Sequence, residues 1–284
     1  MRVNPETRPS PIAGQWYPSD PVRLAASIDG YLEASKPAHL AGEVVAVMAP
    51  HAGHIYSGPV AAHAFKTLTG LPVDLAAVIS PMHHPYQVPL LTTAHAAYRT
   101  PLGDVQVDQP ALSELDAALM EEVGFGLSPV ARDPEHSLEI EIPFLQRVLL
   151  PGFMLLPVMV RDQRANVARS LGKALAQVLS GRRAILVAST DLSHFYSHST
   201  AQILDSAILH EVEAFDPEGV LKAEEEGRGF ACGKAALAAV MWAAKELGAT
   251  RATILHYATS AEVSGDFGQV VGYAAAAFTR ESRR

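Results

Sequence analysis

The chain has 284 residues, 49% of them apolar and 18% charged, enough to bury a sizeable core. With 22 Lys and Arg against 30 Asp and Glu, the formal net charge of -8 excludes the clustered basic surface that binds a phosphate backbone, so no nucleic-acid partner is expected. No apolar run reaches the roughly 18 residues of a membrane-spanning helix, and the opening MRVNPETRPSPIAG lacks the apolar centre of a signal peptide, so the expectation is a cytoplasmic protein with no membrane partner.

Helical and strand periods alternate along the chain. Ser19-Asp20-Pro21 has the form of an N-cap followed by an early helical proline, and 22–35 carries apolar residues at helical spacing. Residues 44–49 form a short, Val-rich, wholly apolar run that suits a strand buried on both faces. The Ala-rich stretch 58–68 reads as the next helix, and 75–80, 153–160 and 184–188 repeat the buried-strand pattern. Helical spacing occupies 136–150, where Pro143 should kink or restart the helix, and 164–180. A polar helix over 200–215 and a shorter one ending in the solvated acidic run 224–226 come next. A strongly apolar helix over 233–248, with Gly248 placed as its C-cap, precedes late strands at 252–257 and 269–278. No repeat, low-complexity tract or long linker divides the chain. The expectation is therefore one α/β domain over 1–284, with a mainly parallel or mixed central sheet flanked by helices.

Three of the apolar runs end in a small-residue turn that delivers histidine. Ala49-Pro50-His51-Ala52-Gly53-His54 leaves the first, Ser80-Pro81-Met82-His83-His84 the second, and 184–195 brings Asp191 and His194. Open α/β sheets hold ligands at the carboxyl ends of their parallel strands. Pro50 stiffens the first exit and Gly53 permits a tight turn. Neutral imidazoles are common metal ligands, and His51 and His83 would share a cation if their strands were neighbours. The single cysteine, Cys232, has no intrachain disulfide partner and stands just before the apolar helix, where a helix N-terminus lowers a thiol's pKa. Each residue also has a plainer reading: strand-end histidines bonded to loop backbone, a buried inert thiol, and Asp191 as a turn or capping residue. His136 reads as a helix N-terminal residue near the cleft, with Glu139 and Glu141 farther along. His39, His63, His95, His198, His210 and His256 read as surface or packing residues.

The segments Ala13-Gly14-Gln15-Trp16-Tyr17-Pro18, Ala49-Pro50-His51-Ala52-Gly53, Ser80-Pro81-Met82-His83-His84, Tyr98-Arg99-Thr100-Pro101-Leu102-Gly103, Glu135-His136-Ser137-Leu138-Glu139, Ser189-Thr190-Asp191-Leu192-Ser193-His194, Ala231-Cys232-Gly233 and Val271-Gly272-Tyr273-Ala274 run through nearly the whole chain. In that order they resemble the Memo family, known in bacteria and archaea as AmmeMemoRadiSam system protein B. The fold of that family is similar to that of the class III extradiol (LigB-type) non-haem iron dioxygenases. The resemblance implies a metal held by His51, His83 and Cys232, in a cleft for a small-molecule ligand. It makes His194 the counterpart of the dioxygenases' acid/base histidine, with Asp191 to orient it or accept a proton. A thiolate where those enzymes have a carboxylate softens the site toward Cu(I) or Zn(II), while the resemblance to the non-haem iron enzymes keeps Fe(II), so the expected metal is Fe(II) or Cu(I), with Zn(II) as the alternative. At position 54 the family more often has an aromatic residue, and His54 reads as an extra ligand or a rim residue. Two functions follow from the resemblance: a metal-dependent redox enzyme, or a non-catalytic metal-binding or protein-interaction module on the same fold. A zinc hydrolase is a third and weaker reading. The family's name also implies a radical-SAM partner protein.

Overall fold

The computed structural model describes residues 6–36 and 40–281; His39 lies outside them. Helix α1 (Pro21–Ala34) starts where the sequence places it, with the Asp20 side chain accepting the Arg23 amide. Then follow β1 (Glu43–Ala49), α2 (His54–Lys66), β2 (Leu75–Pro81), β3 (Leu90–Thr93), a hairpin of β4 (Ala97–Thr100) and β5 (Gly103–Gln106), α3 (Gln109–Val123) and β6 (Ser128–Val130). A 3-10 turn (Glu139–Glu141) leads into α4 (Ile142–Val148), with Pro143 in its first turn, so the proline restarts the helix as expected. The chain continues through β7 (Met154–Val160), α5 (Ala165–Leu179), β8 (Ala184–Ser189), β9 (His194–Tyr196), α6 (His198–Glu213), α7 (Pro217–Glu225) and α8 (Lys234–Glu246). It closes with β10 (Arg251–Thr259), α9 (Ala261–Ser264) and β11 (Val270–Arg280).

Eight strands run in the order β10-β11-β1-β8-β2-β7-β3-β6, and β9 pairs with β11 to complete a nine-stranded mixed sheet. Its centre, β1-β8-β2-β7, is parallel throughout. Those four strands are almost wholly buried, which is why their sequences are unbroken apolar runs without polar alternation. Antiparallel pairing appears on either side, at β1 with β11 and at β7 with β3. Helix α8 packs on β1, β2, β7 and β8 with α5 and α7 against it, and α2, with α1 and α4, packs on β1, β10 and β11. One continuous apolar core joins these layers, with a small satellite of Ala201, Ala261 and Val270. No helix among the described residues is long and apolar enough to cross a membrane.

Two features of the order decide the site. Ala49 pairs with Ser189 and Pro81 with Val160, so the parallel strands finish level and their loops share one edge. The strands that deliver His51 and His83 are not neighbours, because β8 lies between them and contributes Ser189 to the space beneath the two loops. Helix α2 also starts earlier than its sequence pattern suggests, at His54, and contains Pro59. That proline forfeits only the bond to the carbonyl of Ile55, an exposed residue where water can serve instead.

Candidate metal centre

His51 leaves β1 with its backbone amide donating to Asp191 Oδ1 at 2.7 Å, so the β8 loop fixes the β1 loop. The ring is buried, and its Nδ1 lies 2.9 Å from Ser189 Oγ, whose own proton has acceptors at Ser137 O and Glu141 Oε1, both at 2.7 Å. His51 Nδ1–H therefore donates, and Nε2 is the bare nitrogen. His83, which is exposed, is set the same way by a carboxylate: Glu135 Oε1 accepts its Nδ1–H at 2.9 Å, and Glu135 Oε2 its amide at 2.6 Å. Burial pushes the Glu135 carboxyl up, but the bond and charge of His83, the Ser137 amide and His136 outweigh it and hold the group far below the usual carboxylate range.

The third imidazole is one that sequence reasoning set aside. His136 stands beside Glu135, with Nδ1 at 3.4 Å from the same Oε1, stacks on His83 at 4.8 Å between ring centroids and lies edge-on to His51 at 5.5 Å. One ring nitrogen from each of His51, His83 and His136 lies within 4.8 Å of the other two. Burial depresses His51 well below the ordinary histidine value, helped by its two neighbours, and takes His136 down to about 4, so both rings are neutral near pH 7. Trp16 braces His136 from the other side at 4.0 Å, which gives the N-terminal Gln15-Trp16-Tyr17 segment its place in the site. Farther back, Arg8 is fully buried and donates to Asp133, to the Glu135 carbonyl and to Glu139, so the N-terminal segment also holds the loop that carries Glu135.

Cys232 Sγ sits 3.1 Å from His51 Nε2 and accepts the Asp191 amide at 3.2 Å. It does not belong to the three-nitrogen set. Burial first, and then the Asp191 charge, push its thiol up; the amides of Asp191 and Gly233 offset this only in part. The expected lowering of the thiol's pKa by the helix N-terminus is thus overturned by desolvation. The thiol reaches this position because Gly233 has no side chain: a Cβ there would stand 2.5 Å from the Ser189 carbonyl and 2.9 Å from Thr190 Cβ.

Asp191 is fully buried, and its carboxyl is pushed up to about 7 by desolvation against the His51 and Ala52 amides. It is spent on holding the β1 loop and is not bonded to His194. His194 instead donates Nδ1–H to the Leu192 carbonyl at 2.8 Å, which leaves Nε2 bare, and its ring lies edge-on to Phe195 and Phe230 at 5.7 and 5.8 Å. His54 is neither ligand nor rim. It is buried between Tyr17 and Phe144, with Nε2 donating to the Ile140 carbonyl at 3.1 Å and Nδ1 without a partner. His63 stacks on His256 and His95 bonds to the Glu6 carbonyl, as packing residues do.

A metal fits this donor set on the chemistry of its atoms. Around a tetrahedral cation, nitrogens about 2.0–2.1 Å from the metal stand about 3.3–3.4 Å apart and a thiolate about 2.3 Å from it stands about 3.5–3.6 Å from each nitrogen; here the nitrogen–sulfur distance is 3.1 Å and the three nitrogens all lie within 4.8 Å of one another. The model of the Memo-like proteins matches residues 8–277. The chain belongs to the Memo family. MEMO1 family proteins of Methanopyrus kandleri and Nitrosopumilus maritimus are 37% and 34% identical to it, over 95% and 94% of this chain and 98% of each relative. A third, from Methanosarcina mazei, is 33% identical over 95% of this chain and 98% of its own. The matched region contains all the loops that carry His51, His83, Glu135-His136, Asp191 and Cys232.

Proposed function

We propose that this Memo-family protein binds a transition metal through His51, His83 and Cys232, with His136 as a fourth donor, and uses it as a redox enzyme on a small molecule. The observation that carries the reading is the convergence of three imidazole nitrogens within 4.8 Å, with the thiol touching one of them. Mixed imidazole and thiolate ligation suits Cu(I) and Zn(II) and admits Fe(II), and the proposed redox role favours Fe(II) or Cu(I) over redox-inert Zn(II). When bound, such a metal supplies Lewis-acid and electron-transfer chemistry. The protein's own part is to present bare Nε2 atoms through the Ser189 and Glu135 bonds, and to keep His194 Nε2 open to accept a proton at the cleft. The radical-SAM protein implied by the family's name is proposed as its partner.

A specific observation favours the second reading, a metal-binding module without turnover: the Asp191 carboxylate is engaged by the β1 loop and does not form a proton-transfer pair with His194. Metal analysis of protein purified without oxygen or chelators, beside His51→Ala and Cys232→Ala, tests the centre. Stoichiometric metal in the wild type and its loss in both variants is expected, whereas full occupancy in both variants overturns it. Oxygen uptake by the Fe(II)-loaded protein with a panel of catechols separates enzyme from module.

A further inference from the structure

Asp205 lies in the middle of α6, fully buried, although the Memo motifs leave that helix untouched. Its carboxylate is divided between two partners: Oδ1 accepts the Ser193 amide at 2.8 Å, and Oδ2 accepts the Tyr257 hydroxyl from β10 at 2.8 Å. Gly272 of β11 lies directly against it, and a Cβ on that glycine would stand 1.9 Å from Asp205 Oδ2. Gly272 also holds the two peptide groups that flank this one. Its amide donates to the Ser193 carbonyl at 2.9 Å, and its carbonyl accepts the Leu192 amide at 2.8 Å. Residues 192 and 193 are therefore held on every backbone polar group except the Leu192 carbonyl, and that carbonyl receives the His194 Nδ1–H.

The next residue shows how tightly this segment is determined. Phe195 has φ of 64° and is 69% exposed, so a bulky aromatic residue occupies the left-handed region without burial to compensate. Such a conformation persists only where the surrounding structure fixes it. The fixing contacts are the clamp at 192–193 and the pairing of β9 with β11, in which His194 stands opposite Val271.

We infer that Asp205, working with Gly272 and Tyr257, is a positioning residue for His194: it anchors the Ser193 amide so that the Leu192 carbonyl holds His194 in the Nδ1–H tautomer, with Nε2 toward the cleft. This rests on the reading of His194 as the proton carrier, but the tautomer is observable without metal or substrate. Long-range proton–nitrogen NMR spectra of the labelled full-length protein decide it. In the wild type His194 shows the pattern of a single Nδ1–H tautomer. Asp205→Ala is expected to replace it with a pattern averaged over both tautomers, and Asp205→Asn, which keeps an acceptor for the Ser193 amide, to restore it. Tyr257→Phe removes one bond from the half-buried rim and gives the same readout, with a smaller shift, whether or not Asp205→Ala folds. Zinc stoichiometry, measured in parallel, is expected to be equal in all four proteins and bears separately on the metal centre. A purely structural role would lower the unfolding midpoint and leave the His194 pattern as in the wild type; that result in Asp205→Ala or Tyr257→Phe overturns the assignment.

Discussion

Glu135 Oε1 accepts the His83 Nδ1–H and the amides of His136 and Ser137, while Oε2 accepts the His83 amide. All four partners are donors, so an amide in place of the carboxylate would face one or more of them with an N–H of its own. Glu135→Gln should therefore loosen the hold on the His83 ring. The expected cost is about 10–100-fold in metal affinity, the usual consequence of losing a carboxylate behind a ligating histidine. Competition of zinc against a chromogenic chelator measures it, and unchanged affinity would show that His83 is not a ligand through Nε2. His136→Ala tests the neighbouring donor by the same titration. It should weaken zinc binding while leaving the thiolate charge-transfer band of the cobalt-substituted protein in place, because Cys232 contacts His51 and not His136.

Helix α8 owes its place to close approach, and Gly233 is where that approach is tightest, with the Ser189 carbonyl 2.5 Å from where a Cβ would be. The obstacle is backbone at the end of a buried strand, so it cannot swing aside as a flexible side chain would. Gly233→Ala is expected to push the start of α8 away from β8, cost about 1–3 kcal/mol by overpacking, and abolish the cobalt–thiolate band by withdrawing Cys232 from His51. Urea unfolding with the absorption spectrum checks both, and a normal band at lowered stability would separate packing from the site. The parallel strands were legible because burial on two faces writes a continuous apolar run, and the histidines at their exits were legible because they follow such runs. Strand order was not: nothing local to 44–49 or 75–80 records that β8 runs between them. His136 was missed for a related reason. It rides on a loop with no strand pattern of its own, and what holds it there, Trp16 stacking and the Arg8 contacts, comes from more than a hundred residues away.

Across the whole molecule, buried histidines tie stability to pH, and His54 isolates the effect. Its Nδ1 faces an apolar interior without a partner, and burial takes its pKa down to about 4 from an ordinary 6.5. Between those values the unfolded chain binds a proton that the folded protein does not, so stability is lost as pH falls through the window, by up to about 3 kcal/mol at about 1.4 per unit. Asp191 opposes it: its raised pKa of about 7 makes its contribution fall as pH rises from about 3.8. The wild-type curve alone therefore mixes two slopes of opposite sign, and the variant difference is the informative quantity. His54→Phe keeps an aromatic ring between Tyr17 and Phe144, removes the orphaned nitrogen and gives up one bond to Ile140, so at pH 7 the two proteins should differ by about 1 kcal/mol or less. At pH 4.5 the variant should be the more stable by about 2–3 kcal/mol, because only the wild type must keep an imidazole neutral there. Urea midpoints of both proteins at the two pH values give the result. A difference that did not change with pH would mean that His54 takes up its proton in the folded state, and that the Tyr17 and Phe144 packing around it opens to water.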